Sequence, residues 1–382
     1  MRILIAVSLT LFAGYTMLPN LYSAAAGDRS AKKACFSRET RATAERTAKV
    51  YQEPPADFDP VLGYSPSAGP RLGAPAVDEN GRVKPVACRA SEKPKHITGT
   101  LPKFYCAVPG NVDQTGRPIR YKVKPHFKGQ SPEKRNGEAY GEFLSSRFSK
   151  AVGFFADDEW IADVTCPDCE MSLTKPFQGA KFTAFQPAVD IEMSAGEGID
   201  VECDGKDTAS LSETLPKLAA GGARAEVDAF KLWLAFIDHG DTKKDNQRFS
   251  CLDVLKATDG SLTCAPAASI FYVADMGSTF GYSTASEKKA TLALWRGKDP
   301  IKINGGRCST TAKDVGDTVV SEDGRKLLAD RLQHLLDREA QDHLITRVFE
   351  ESRNAERDQP AAAWTSEFIR KAKTIIDARC SG

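Results

Sequence analysis

Two short stretches in the second half of the chain hold residue types suited to phosphate chemistry. The first, His239-Gly240-Asp241-Thr242-Lys243-Lys244-Asp245-Asn246, sets a carboxylate and a carboxamide five positions apart. The second, Ile270-Phe271-Tyr272-Val273-Ala274-Asp275-Met276-Gly277, ends an apolar run on an Asp. Moving a phosphoryl group from a nucleotide asks for a cation on the α/β phosphates and a carboxylate to orient that cation. It also asks for oxygen ligands for a divalent metal, and for a further carboxylate facing the acceptor hydroxyl. Asp241, Asn246 and Asp275 offer such oxygens, which suit Mg2+ or Mn2+. The cation and its carboxylate would come from earlier in the chain. Tyr121-Lys122-Val123-Lys124 supplies two lysines, and the helical stretch after it carries Glu138 and Glu142, four apart and so on one helix face.

The elements that must position these residues are legible in outline. Residues 119–124 alternate, with Tyr121 and Val123 on one side of a strand and Lys122 and Lys124 on the other. A helix is predicted over 136–152, its apolar face built from Phe143 or Leu144, Phe148, Ala151 and Val152, with Gly153 ending it. Further strands are predicted over 159–164 and 181–193. Beyond a Gly- and Asp-rich stretch over 194–215 the chain turns helical. Phe230, Trp233, Leu234 and Ile237 fall at i, i+3, i+4 and i+7, and Leu232 and Phe236 widen the stripe, which predicts a buried helix. Residues 325–349 repeat Leu, Ile and Val at helical spacing, and Pro360 can open a last helix.

In this order the pieces resemble the protein-kinase-like superfamily, where a helix leads into H-x-D-x-K-x-x-N and a later strand ends in D-x-G. His239, Asp241, Lys243, Asn246, Asp275 and Gly277 match those positions, and Tyr121-Lys122-Val123-Lys124 resembles the V-A-I-K strand. The Val-Lys strand, then Glu142-Phe143-Leu144-Ser145-Ser146-Arg147 and Gly153-Phe154, is similar to a group of uncharacterised exported bacterial proteins. That resemblance implies Lys124 with Glu142 as the phosphate-binding pair, with Lys122 and Glu138 as second choices. It implies Asp241 as base or acceptor-orienting residue, and Asn246 and Asp275 as metal ligands. It also implies an α+β, bilobal, kinase-like fold with a β-rich N-lobe, one key helix and a mostly helical C-lobe. The expected organisation is a signal peptide over 1–26, a Pro/Gly-rich arm over 27–95, an N-lobe over 96–195, a linker or insertion over 196–215, and a helical C-lobe over 216–382. The chain also departs from the family. No G-x-G-x-x-G precedes the lysine strand, 29 positions separate Asn246 from Asp275, and no A-P-E follows Gly277. These departures place it nearer the atypical lineages, such as lipid, HipA-type and secretory-pathway kinases.

Composition narrows the setting. Among 382 residues, 52 basic and 51 acidic side chains leave a net charge of +1 with no basic block, which argues against nucleic acid or anionic membrane as a partner. Arg2, the apolar run over 3–18 and Ala24-Ala25-Ala26 read as an export signal, too short for a stable membrane span. All ten cysteines follow it, and an even count in an exported chain predicts up to five disulfides of unspecified pairing. Cys35 and Cys88 would tie the arm to the body, and Cys251 and Cys264 would clip the excursion between Asn246 and Asp275. Cys166-Pro167-Asp168-Cys169 has the spacing of a redox pair or half a zinc site, but no second ligand pair accompanies it. The expected location is periplasmic or extracellular.

Other chemistries lack their parts. The Ser of Gly277-Ser278-Thr279-Phe280-Gly281 stands second rather than third, so this is no nucleophile elbow. His96, His126, His239, His334 and His343 show no H-E-x-x-H spacing. Asp157-Asp158-Glu159 reads as a solvated turn. Two functions follow as expectations. One is an exported atypical kinase-like protein that binds ATP or another nucleotide with Mg2+ or Mn2+ between lobes and supports phosphoryl transfer to an acceptor the sequence does not specify. The other is a catalytically inactive kinase-like scaffold serving as an extracytoplasmic binding protein.

Overall fold

The computed structural model describes residues 35–78, 82–91, 103–112, 118–124, 137–169, 185–203, 207–281, 290–352 and 359–381. The expected export signal, the turn at Gly116, His96 and His126 lie outside them. Helix α1 (Arg38–Thr47) begins at Ser37, whose hydroxyl accepts from the Thr40 amide and so satisfies one of the open donors of the first turn. Short strands β1 (Val86–Ala87) and β2 (Arg89–Ala90) follow, then β3 (Phe104–Val112), β4 (Pro118–Lys124), α2 (Gly137–Ala151), β5 (Asp158–Thr165) and β6 (Phe185–Met193).

These six strands form one sheet in the order β1-β5-β6-β4-β3-β2, parallel only where β1 meets β5. Tyr121 and Val123 enter an apolar cluster with Phe104, Trp160 and Ile191, as their alternation predicts. The lysine face is covered as well. α2 brings Glu138 and Glu142 to it, and Lys124 is 0% exposed.

The chain continues with β7 (Glu197–Gly198), α3 (Leu211–Leu218), α4 (Arg224–Phe236), β8 (Gln247–Cys251), β9 (Val254–Lys256), β10 (Leu262–Cys264), β11 (Ser269–Val273) and α5 (Leu292–Arg296). It ends with β12 (Ile301–Asn304), β13 (Arg307–Thr310), β14 (Val319–Val320), α6 (Glu322–Asp342), α7 (Leu344–Glu351) and α8 (Ala361–Ile376). The stretch read as a linker is built into the body. β7 pairs with β8, and Ile199, Ala209, Leu211 and Leu215 are buried. Its apolar residues are too sparse to announce burial, which comes from partners distant in sequence. The helical run over 325–349 is two helices, because His343 adopts left-handed backbone (φ 56°) between α6 and α7.

Aromatic packing fixes α2 against the later helices. Phe148 of α2 lies 4.8 Å from Phe368 of α8, ring centre to ring centre, and Phe236 of α4 packs on the same Phe368 at 4.8 Å. Trp233 of α4 donates its indole N–H to Ser149 of α2 at 2.8 Å. The disulfides join Cys35–Cys203, Cys88–Cys106, Cys166–Cys169, Cys251–Cys264 and Cys308–Cys380. The first two tie the N-terminal arm down, and the fourth closes the excursion between Asn246 and Asp275. Cys166 and Cys169 are bonded to each other. Among the described residues no helix is long and apolar enough to cross a membrane.

Candidate functional site

Lys124, the last residue of β4, is the centre of a charge cluster drawn from four elements. Its ammonium ion-pairs with Glu142 of α2 and lies 3.5 Å from Glu138, one turn earlier on that helix. It also stands 3.8 Å from Glu192 of β6 and 3.8 Å from Asp275, two residues past β11. Lys122, two residues before it on the same strand face, pairs with Glu192 and not with Glu138. The structure therefore joins Lys124 to both helix carboxylates and gives Lys122 a different partner.

The protonation pattern follows from burial and distance. Burial disfavours the Lys124 ammonium, but Asp275, Glu142, Glu138 and Glu192 outweigh it and hold its pKa well above the ordinary lysine value. Burial likewise disfavours the Asp275 carboxylate, and Lys124 and Lys122 reverse this, keeping it well below the usual range. Glu192 is lowered in the same way, against burial, by Lys122 and Lys124. Deeper in the protein the balance changes. Carboxyl oxygens of Glu142, Glu159 and Asp190 approach within 4.8 Å of one another, and all three side chains are buried. Burial, followed by repulsion from Asp190 and Glu142, pushes Glu159 well up. Burial lifts Asp190 to about 6 and raises Glu142 despite Lys124. Asp275 and Glu192, paired with the lysines, are held low, whereas burial raises Glu142, Glu159 and Asp190.

The loop over 239–246 lies against the 275–281 segment. Gly240 N–H donates to the Ser278 carbonyl at 2.8 Å, and Phe280 N–H donates to that of Ile237 at 2.6 Å. The Ala274 amide donates to the Asn246 carbonyl at 2.8 Å, which sets Asn246 beside the strand end that carries Asp275. The Asn246 side chain turns back, its amide donating to the Asp241 carbonyl at 3.0 Å. Asp241 accepts from Lys243 at 2.8 Å and keeps 19% of its side chain exposed, so a group arriving from solvent can reach it. His239 is buried and held neutral, its pKa lowered to about 4 by desolvation, so it acts here as a packing residue of the loop.

Two glycines allow Asp275 to approach α2. A Cβ on Gly277 would meet Glu138 Cγ at 2.1 Å, and one on Gly141 would meet the Gly277 carbonyl oxygen at 2.7 Å. Thr279 then clamps the contact, donating to the Met276 carbonyl at 2.7 Å and lying 2.8 Å from the Ser145 hydroxyl of α2. In this packing Glu138, Glu142 and Asp275 each bring a carboxylate oxygen within 4.8 Å of the others. Such hard oxygen donors beside a lysine fit a divalent cation carrying phosphate oxygens. The acidic groups closest to Asp275 come from α2, while Asn246 meets that segment through its main chain.

Three members of the cluster escape the sequence pattern: Glu159, Asp190 and Glu192. Asp157-Asp158-Glu159 is not a solvated turn. It leads into and begins β5, with exposures of 1%, 9% and 2%. Asp158 is paired with Lys150 and, at 3.1 Å, with Arg71, while Asp157 accepts from the Ala195 amide at 2.8 Å. Charged residues in strands look solvent-facing in sequence. The available signal was their strict alternation with apolar residues, as in Asp190-Ile191-Glu192-Met193.

No protein-family model and no curated protein matches the chain. Among solved structures, the crystal structure of a Helicobacter pylori proinflammatory kinase, CtkA, aligns over 76% of this chain and 94% of its own, with a TM-score of 0.40 and 11% identity. Overlap of that size transfers neither fold nor activity, and the site is read from its own residues.

Proposed function

We propose that the protein binds a nucleotide together with Mg2+ or Mn2+ where β4, α2 and the 275–281 segment meet, in an arrangement suited to phosphoryl transfer. The observation that carries this reading is the Lys124 ammonium, ion-paired with Glu142 of α2 and 3.8 Å from Asp275. In the proposed roles Lys124 binds phosphate oxygens and Glu142 orients it. Asp275 and Glu138 offer oxygens to the cation, with Asn246 flanking them, and Asp241 receives or aligns an acceptor hydroxyl. A bound divalent cation would supply charge neutralisation on the phosphates. Five disulfides support a setting outside the cytoplasm.

One observation favours a second reading, a scaffold that no longer transfers phosphate. Lys124 is fully buried, and its carboxylate partners already surround it. Thermal unfolding of the oxidised protein with ATP and Mg2+ or Mn2+, against Asp275→Ala, separates the two. Ligand at a hundred times its dissociation constant stabilises the native state by about 2.7 kcal/mol. A metal-dependent rise in Tm that Asp275→Ala abolishes supports the nucleotide site. No rise in either protein supports the scaffold.

A further inference from the structure

The sheet face that α2 covers carries more acid than base. Glu138, Glu142, Glu192 and Asp275 already compensate Lys122 and Lys124. Two further carboxyl side chains share that face. Asp190 of β6 stands opposite Lys124 in the strand register, and Glu159 of β5 stands opposite Glu192. Even with Lys103 counted, six carboxyl groups gather around three lysines, so the excess is negative. Asp190 shows where that excess is concentrated. It is 0% exposed, yet neither of its carboxylate oxygens meets a hydrogen-bond donor among the described residues. Glu142 gives Oε1 to Lys124 and leaves its buried Oε2 without a donor, and Glu159 Oε2 is placed alike. Oxygens of these three side chains lie within 4.8 Å of one another. Buried carboxylates without donors are costly, and either protons or a metal ion must offset them.

We propose that Glu142, Glu159 and Asp190 form a buried Ca2+ site that ties α2 to β5 and β6. The donors are hard oxygens, the kind that both Ca2+ and Mg2+ take. Mg2+ gives up its waters reluctantly, and three side chains at 2% exposure or less leave little room for them. Ca2+ accepts irregular and bidentate carboxylates at about 2.3–2.6 Å, so its opposite ligands stand about 4.6–5.2 Å apart, a span these oxygens fit. The charges also close. Three carboxylates, one divalent ion and the Lys124 ammonium beside Glu142 leave no net charge. In the metal-free protein protons fill the gap instead, and metal binding would release them to solvent. The ion would hold Glu142 from behind while Lys124 holds it in front, which fixes the helix that also carries Glu138. The site stands without the nucleotide reading, since the two share only Glu142.

The test is elemental analysis of the purified, oxidised protein after dialysis into metal-free buffer at neutral pH. Thermal melts of EDTA-treated protein with added CaCl2 or MgCl2 accompany it. Wild type and Asp275→Ala are each expected to hold about one Ca2+ per chain, and Glu159→Gln and Asp190→Asn almost none. CaCl2 should raise Tm by several degrees in the first two proteins and leave the other two unchanged, with MgCl2 doing less throughout. Wild type that holds no Ca2+ and gains nothing from CaCl2 has a triad filled by protons alone, which overturns the proposal. Loss of Ca2+ in Asp275→Ala overturns it too, because the ion would then belong beside Asp275. Should Glu159→Gln and Asp190→Asn fail to fold, Glu159→Asp decides, since it keeps the charge and shortens the reach. A Ca2+ affinity equal to that of wild type in Glu159→Asp overturns the proposal, and a several-fold loss supports it.

Discussion

The carbonyl oxygen of Gly277 lies 2.7 Å from the point that a Cβ on Gly141 would occupy, so α2 and the segment after β11 meet backbone to backbone. The geometry of the proposed metal site depends on this contact, because α2 carries Glu138 and Glu142 and the segment carries Asp275. Gly141→Ala must push the two apart. Overpacking of this kind costs about 1–3 kcal/mol. We expect a lower Tm together with loss of the ATP- and metal-dependent rise. A variant that keeps both would show that the approach does not set the site.

Lys124→Met leaves Asp275 and Glu192 without their nearest common cation. Removing one partner of a buried ion pair costs about 3–5 kcal/mol, since the other charge is stranded in low dielectric. Urea denaturation should show a loss of that order for Lys124→Met. The double variant Lys124→Met/Glu142→Gln should recover part of it, because the contacting pair is coupled. Strictly additive losses would contradict the pairing.

Asp190 gives the protein a pH dependence of definite sign. Burial lifts its folded-state pKa to about 6 from an ordinary 3.8, so the protonated form favours the fold. That contribution is complete below pH 3.8 and is lost as pH rises through 6. Asp157, raised by burial to about 7, acts in the same direction. Asp275 and Glu192, held low by lysines, act oppositely and matter only in acid. Asp190→Asn should therefore gain on wild type as pH rises from 4 to 7.5 in paired thermal melts. A difference in Tm that stays constant over this range would rule the assignment out.

The disulfides should contribute unequally. Cys35–Cys203 joins positions 168 apart and Cys166–Cys169 positions 3 apart. In the loop-entropy model these separations correspond to about 5 and about 1.6 kcal/mol at 25 °C. Replacing Cys35 and Cys203 by Ser should depress Tm far more than replacing Cys166 and Cys169. The opposite order would indicate that the short bridge holds the end of β5 in place.

Much of the local structure was written in the sequence, because periodicity belongs to each segment alone. The 3.6-residue stripe predicts α4 and α2, the two-residue alternation predicts β4, and spacing singles out the loop over 239–246 and Asp275 as candidates. Tertiary structure decided which strands lie side by side. Alternation puts Lys124 on one face of β4, but only the β4–β6–β5 register sets Asp190, Glu192 and Glu159 on that same face. It also decided the cysteine partners and the burial of both sides of the lysine strand. A segment reports its own faces through its repeat. Its neighbours are chosen by packing across the chain, and the charges on this sheet take their protonation from those neighbours.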